Sequence, residues 1–194
     1  MAQLNSKIHE VIVTTLSQTG EPHSAPMGIT EVNGHFLIQP FKPSATYENL
    51  KHHRQCTINY TDDVRVFAGS LTGRRDWPTL PCQKIEGQYL EQALSHTELE
   101  VIDFVDGDPR TSFTGKIVHE QTHAPFRGFN RAQSAVIEAA VLTSRLSMLP
   151  AEKVQQEIAY LTIAIEKTAG ERELEAWSWL MTKIKDAGIE LQNV

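Results

Sequence analysis

Glu10-Val-Ile-Val-Thr-Thr-Leu16, Thr19-Gly20, His23-Ser-Ala-Pro-Met-Gly-Ile-Thr-Glu-Val32, Asn33-Gly34, His35-Phe-Leu-Ile-Gln-Pro-Phe41 and Lys42-Pro-Ser-Ala-Thr-Tyr-Glu-Asn-Leu50 decide the fold of this chain. They read as strand, turn, strand, turn, strand and then a short helix. Asn33-Gly34 between apolar strands predicts a two-residue hairpin, because a type I′ turn needs positive φ at both central positions. Thr19-Gly20 marks a second tight connection. Ser44 and Thr46 open the helix beside Lys42, and the free backbone amides of a helix start, two hydroxyls and an ammonium suit a phosphate.

Outward from this block, residues 44–53 form the helix, and 55–60 and 64–71 read as further strands. Residues 72–82 are rich in Gly and Pro and predict a loop with Trp77 as an anchor. The stretch 86–95 is ambiguous. His96 to Val105 alternates, with Leu99, Val101 and Phe104 inward. Asp106-Gly-Asp-Pro turns the chain, and Thr111 to His119 returns as a strand. About six strands before residue 124 predict a closed or partly closed antiparallel barrel.

After Pro125 the apolar period becomes helical. Asn130 caps a first helix, and Pro150 suits the first turn of a second. The second helix carries Val154, Ile158, Leu161 and Ile165 on one face and ends at Gly170. A third, 171–187, carries Leu174, Trp177, Leu180, Met181 and Ile184 and stops at Gly188. These stripes read as core or subunit packing.

The barrel opening resembles that of the FMN-binding split-barrel superfamily of flavin-reductase-like and pyridoxamine-phosphate-oxidase-like proteins. More closely, Phe129-Asn-Arg-Ala, Ala135-Val-Ile-Glu-Ala-Ala and Thr143-Ser-Arg-Leu resemble an uncharacterised branch with a helical C-terminal extension. The resemblance implies an α+β fold: a split-barrel flavin domain over 1–125 and a helical extension over 126–194, packed on the barrel or on a dimer interface. It implies FMN as cofactor, a homodimer, and a flavin-dependent oxidoreductase that draws on a nicotinamide or other redox donor. A non-catalytic flavin-binding or partner-binding module on the same fold is the alternative.

Carried onto this chain, the phosphate falls to Lys42, Ser44, Thr46 and Tyr47. The Arg that many superfamily members place there is absent, leaving Lys42 or Arg131 to supply the charge. Gln39 and the strand Ser24-Ala25-Pro26-Met27-Gly28 fall near the ring, and Asn130 and Arg131 become ligand-adjacent. The residues alone leave other readings open. Ser44 and Asn130 serve equally as plain helix caps, and Pro26 with Gly28 serves equally as a bulge or strand edge.

His119-Glu-Gln-Thr-His123 matches the zinc-hydrolase pattern H-E-x-x-H. That chemistry needs a helix to bring both imidazoles to one face, and here the residues extend a strand that runs into Ala124-Pro125. Glu138, the available third ligand, lies inside another predicted helix. The match is therefore read as accidental, with no metal expected.

Eighteen Lys and Arg against 24 Asp and Glu give a net charge of −6, which argues against nucleic-acid binding. The two cysteines, Cys56 and Cys82, have no metal-ligand spacing and fit a reduced, cytoplasmic setting. No run of residues approaches a membrane span.

Overall fold

The computed structural model describes residues 7–191. These form an α+β structure of eight strands and five helices: β1 (Ile8–Leu16), β2 (Pro22–Val32), β3 (His35–Ile38), α1 (Ala45–His53), β4 (Gln55–Tyr60), α2 (Arg65–Leu71), β5 (Thr79–Pro81), β6 (Gln88–Leu90), β7 (Ser95–Val105), β8 (Ser112–Thr122), α3 (Arg131–Thr143), α4 (Ala151–Thr168) and α5 (Glu171–Asp186). They divide into two compact units. One comprises the described residues up to Thr61 together with Trp77–Pro125; the other comprises Asp62–Asp76 and the described residues from Phe126 onward.

The first unit is a closed antiparallel barrel in the order β1-β2-β3-β8-β7-β4. Closure follows from β1 pairing with β2 along its whole length and with β4 at Ile12–Thr14. Asn33 and Gly34 turn β2 into β3 at φ 53 and 74, the left-handed values that a two-residue hairpin requires. Alternation sends Val11, Val13, Ile29, Phe36, Ile38, Cys56, Ile58, Leu99, Val101 and Phe113 into the interior, and Tyr47 and Leu50 of α1 join them. Phe104 also packs on this core, although it lies an odd number of positions beyond Val101. A register shift between Val101 and Asp103 changes the inward phase of β7. The β5–β6 hairpin covers the outside of β4: Thr57 Oγ1 donates to the Gln88 carbonyl at 2.7 Å, and Asn59 Oδ1 accepts from Leu90 N at 2.8 Å.

In the second unit α2, α3, α4 and α5 enclose a core that includes Val64, Ala68, Ala135, Val136, Val154, Ile158, Trp177, Leu180 and Ile184. Most of the two predicted apolar stripes lie in it, but Leu174 is exposed. Among the described residues, no helix is long and apolar enough to cross a membrane.

Four local expectations are corrected. Residues 65–71 are helical, not extended: Val64 and Ala68 share one helical face in the second core, and Asp63 Oδ1 accepts from Arg65 N at the helix start. Burial of that face overrides the strand preference of Val64-Arg-Val-Phe. Within the predicted 72–82 loop lies β5, whose partner β6 occupies the ambiguous stretch. Pro150 occupies the extended cap before α4 rather than its first turn. Gly170 does not close α4 in a left-handed turn; at φ −96 it caps α5, where its amide donates to Glu173 Oε2 at 2.9 Å.

Candidate functional site

Lys42, Ser44, Thr46 and Tyr47 come together at the start of α1. Ser44 is the N-cap: its Oγ accepts from Tyr47 N at 3.2 Å. Its hydroxyl is thus engaged in holding the helix, and the amides of Ala45 and Thr46 are the ones the first turn leaves outside the helical ladder. The Thr46 side chain is buried. Tyr47 is buried against Phe113, and its ring gathers two ammonium groups, Lys42 Nζ at 5.0 Å and Lys51 Nζ at 5.6 Å from the ring centre.

Lys42 is also hydrogen bonded to Asp106, whose Oδ1 accepts from Thr111 Oγ1 at 2.7 Å. The Asp106 bond raises the Lys42 ammonium above its ordinary range, and the Lys42 bond, followed by that of Thr111, holds the Asp106 carboxyl below its own. The backbone anchors this pairing: Lys42 N donates to the Pro109 carbonyl at 2.9 Å, and Phe41 bridges to Arg110, whose guanidinium lies 3.8 Å from the Phe41 ring centre. The donor set is therefore two ammoniums and a helix start, with one carboxylate among them, and it fits an anionic group such as a phosphate.

The strand Ser24–Gly28 does not present all its side chains to one place. Ala25 and Met27 lie opposite the core residues Val13 and Val11, whereas Ser24, Pro26 and Gly28 alternate to the outer face. No bulge interrupts the β1–β2 ladder. Instead, β2 pairs with β3 only over Thr30–Val32, so Pro26 lies where the other side of β2 carries no β3 ladder. At Gly28 a Cβ would approach Ile8 Cγ2 to 2.8 Å, so close packing is itself a reason for glycine there. Gln39 is exposed just beyond β3.

Asn130 and Arg131 belong to the second unit. Asn130 is the N-cap of α3, accepting from Ala132 N at 2.7 Å and Gln133 N at 3.2 Å, while its Nδ2 donates to the Thr168 carbonyl. Arg131 is exposed at the first turn.

Sequence reading missed Lys51, Asp106, Thr111 and Arg110. Lys51 is one helical turn after Tyr47 and was legible from that spacing. Asp106 lies 64 positions from Lys42 and carried no local signal.

A second polar cluster lies on the outer face of the barrel. Register places Ser24, Thr14, Thr57, Glu98 and His119 in one row across β2, β1, β4, β7 and β8. Ser24 Oγ and Thr14 Oγ1 are 2.8 Å apart, and Asn59 Nδ2 donates to Thr14 Oγ1 at 3.1 Å. Glu98, fully buried, accepts from Gln83 N, Lys84 N and Ile85 N at 2.7, 2.7 and 3.1 Å. Burial would raise its carboxyl, but those amides and His96 outweigh it and hold the group below the usual carboxylate range. His96 is buried beside it, Nε2 to Glu98 Oε1 at 3.3 Å, and burial lowers its imidazole despite Glu98. Tyr89 stacks on both His96 and His123, and His96 Nδ1 pairs with His123 Nε2 at 2.8 Å.

Against this geometry, the comparisons place the chain. The profile described as "Protein of unknown function (DUF447) N-terminal domain" matches residues 9–124, and that described as "Protein of unknown function (DUF447)" matches residues 130–182. The chain belongs to the DUF447 family. Among solved structures, this DUF447 chain is similar to the FMN-bound DUF447 protein MM1853 of Methanosarcina mazei, with 21% identity and a TM-score of 0.78 over 93% of this chain and 96% of that one. It is also similar to flavoredoxin of Methanosarcina acetivorans (12% identity, TM-score 0.52, 63% of this chain and 74% of that one). A third is BorF, the flavin reductase component of a bacterial two-component tryptophan halogenase (17%, 0.51, 62% and 83%). The fold is thus that of the FMN-binding split barrels, as the resemblance implied. A comparison with curated proteins finds none that matches.

Proposed function

We propose that this DUF447 protein binds FMN and acts as a flavin-dependent oxidoreductase. The observation that carries the reading is the likeness, over 93% of the chain, to an FMN-bound protein of the same family. The cluster at the start of α1 supports it: Lys42 and Lys51 converge on Tyr47 beside the first-turn amides, where the phosphate would be held. Bound FMN would supply the redox chemistry, and the chain's own part is to bind and orient it. Lys42 and Lys51 neutralise the phosphate, while Ser24, Pro26 and Gly28 on the outer face of β2 remain candidates for the ring. Asn130 and Arg131 stay in the proposal as ligand-adjacent groups.

The electron donor proposed is a nicotinamide, and the assembly a homodimer. Tyr160, Ile163 and Leu174 leave apolar surface on α4 and α5 that a second copy would cover. The free thiols Cys56 and Cys82 suit the cytoplasmic setting proposed with it.

The test is the visible spectrum of protein purified without added cofactor, followed by titration with FMN and with riboflavin. Flavin absorbance and tighter binding of FMN are expected. Absence of binding removes the reading, and equal affinities remove the phosphate assignment. Oxidation of a nicotinamide with turnover separates the enzyme from a flavin-binding module, which would be yellow and inert.

A further inference from the structure

We propose that His96, Glu98 and His119 form a binding site for a divalent first-row transition-metal ion, on the outer face of β7 and β8 beneath the 82–90 segment. One ligand atom from each of the three lies within 4.8 Å of the other two. His96 Nε2 and Glu98 Oε1 are 3.3 Å apart, close to the edge of about 3.4 Å that tetrahedral coordination at 2.0–2.1 Å imposes. His119 Nε2 is buried and has no hydrogen-bond partner among the described residues. A buried imidazole nitrogen without a partner costs free energy, and an ion shared with His96 and Glu98 would satisfy it.

The surroundings are those a metal site requires. Glu98 is held by three backbone amides, so its carboxylate is oriented before any ion arrives. The other ring nitrogen of His96 faces His123 Nε2 at 2.8 Å. With an ion on His96 Nε2, the proton moves to Nδ1 and is donated to His123, which orients the ligand ring; Tyr89, stacked on both rings, keeps them coplanar. Two imidazoles and one carboxylate suit zinc or ferrous iron, with remaining positions left to water.

This set differs from the H-E-x-x-H pattern. On a strand His119 and Glu120 face opposite sides, and Glu120 Oε1 accepts from Thr97 at 3.1 Å away from the cluster. Side chains of one strand four residues apart share a face but stand about 13 Å apart along it. The partners of His119 therefore come from the paired strand β7 rather than from its own motif.

The experiment is metal analysis of the full chain purified without chelator, then titration of chelator-treated protein with Zn²⁺ and with Co²⁺ as a spectroscopic probe. One ion per chain is expected, with a cobalt spectrum showing imidazole ligation and a rise in melting temperature on adding Zn²⁺. His119→Ala should weaken binding by about 100-fold or more and abolish that rise. Because Glu98→Gln also loosens the 83–85 loop, His119→Ala is the deciding variant; it removes a side chain whose Nε2 has no hydrogen-bond partner among the described residues and leaves the Glu98 bonds in place. His52→Ala, at an exposed position of α1 remote in sequence, should leave binding unchanged. No stoichiometric binding by the wild-type chain, or equal binding by His119→Ala, overturns the proposal.

Discussion

The Lys42 ammonium donates to the Asp106 carboxylate across 64 positions of sequence, joining the start of α1 to the β7–β8 turn. An arriving phosphate must share or displace that carboxylate. Lys42→Met should weaken FMN binding by about fivefold, the scale of a solvent-screened charge contact, and leave riboflavin binding unchanged. Asp106→Asn should do the reverse and tighten FMN by a similar factor. Fluorescence titration with both flavins checks this, and a parallel loss for riboflavin in the Lys42 variant would show that Lys42 acts on the fold instead.

Burial pushes the Cys56 thiol up to about 12, and burial together with Glu98 pushes that of Cys82 to about 12. Both should resist thiol reagents at pH 8 in the folded protein and react at once in denaturant. A thiol raised above its unfolded value near 9 contributes stability that is fully present below about pH 9 and is lost as pH rises toward 12. Denaturant melts at pH 8 and pH 10.5 should therefore show lower stability at the higher pH, and Cys56→Ala should reduce the difference.

At Gly115 a Cβ would lie 2.9 Å from Leu99 Cδ1 and 3.4 Å from Leu99 Cβ, inside the barrel. Gly115→Ala should destabilise the protein by about 1–3 kcal/mol through overpacking. Gly115→Ala combined with Leu99→Val should recover part of that loss in urea melts.

Asn130→Ala should cost about 1 kcal/mol through loss of the α3 cap. If capping is its whole role, flavin affinity will be unchanged. A drop in affinity as large as that of Lys42→Met would make Asn130 a ligand as well as a cap.

The barrel was legible because its signals are local. Asn33-Gly34 can satisfy a two-residue turn, and Val11-x-Val13 with Leu99-x-Val101 alternate at the strand period. The helices after Pro125 announced themselves by the same kind of short-range pattern. Val64–Phe67 misled because a short β-branched run suits a strand as well as a helix with one buried face, and only the second core decided between them.

The outer-face cluster was illegible for a different reason. His96, Glu98 and His119 belong to two strands, and only the β7–β8 register sets Glu98 opposite His119. Lys42 and Asp106 likewise meet only once the barrel closes. Sequence by itself determined most of the elements, α2, β5 and β6 excepted, since period, turn chemistry and caps act over a few residues. The tertiary structure decided which charged and ligating groups meet, because strand register and barrel closure act over tens of residues and leave no trace in any one segment.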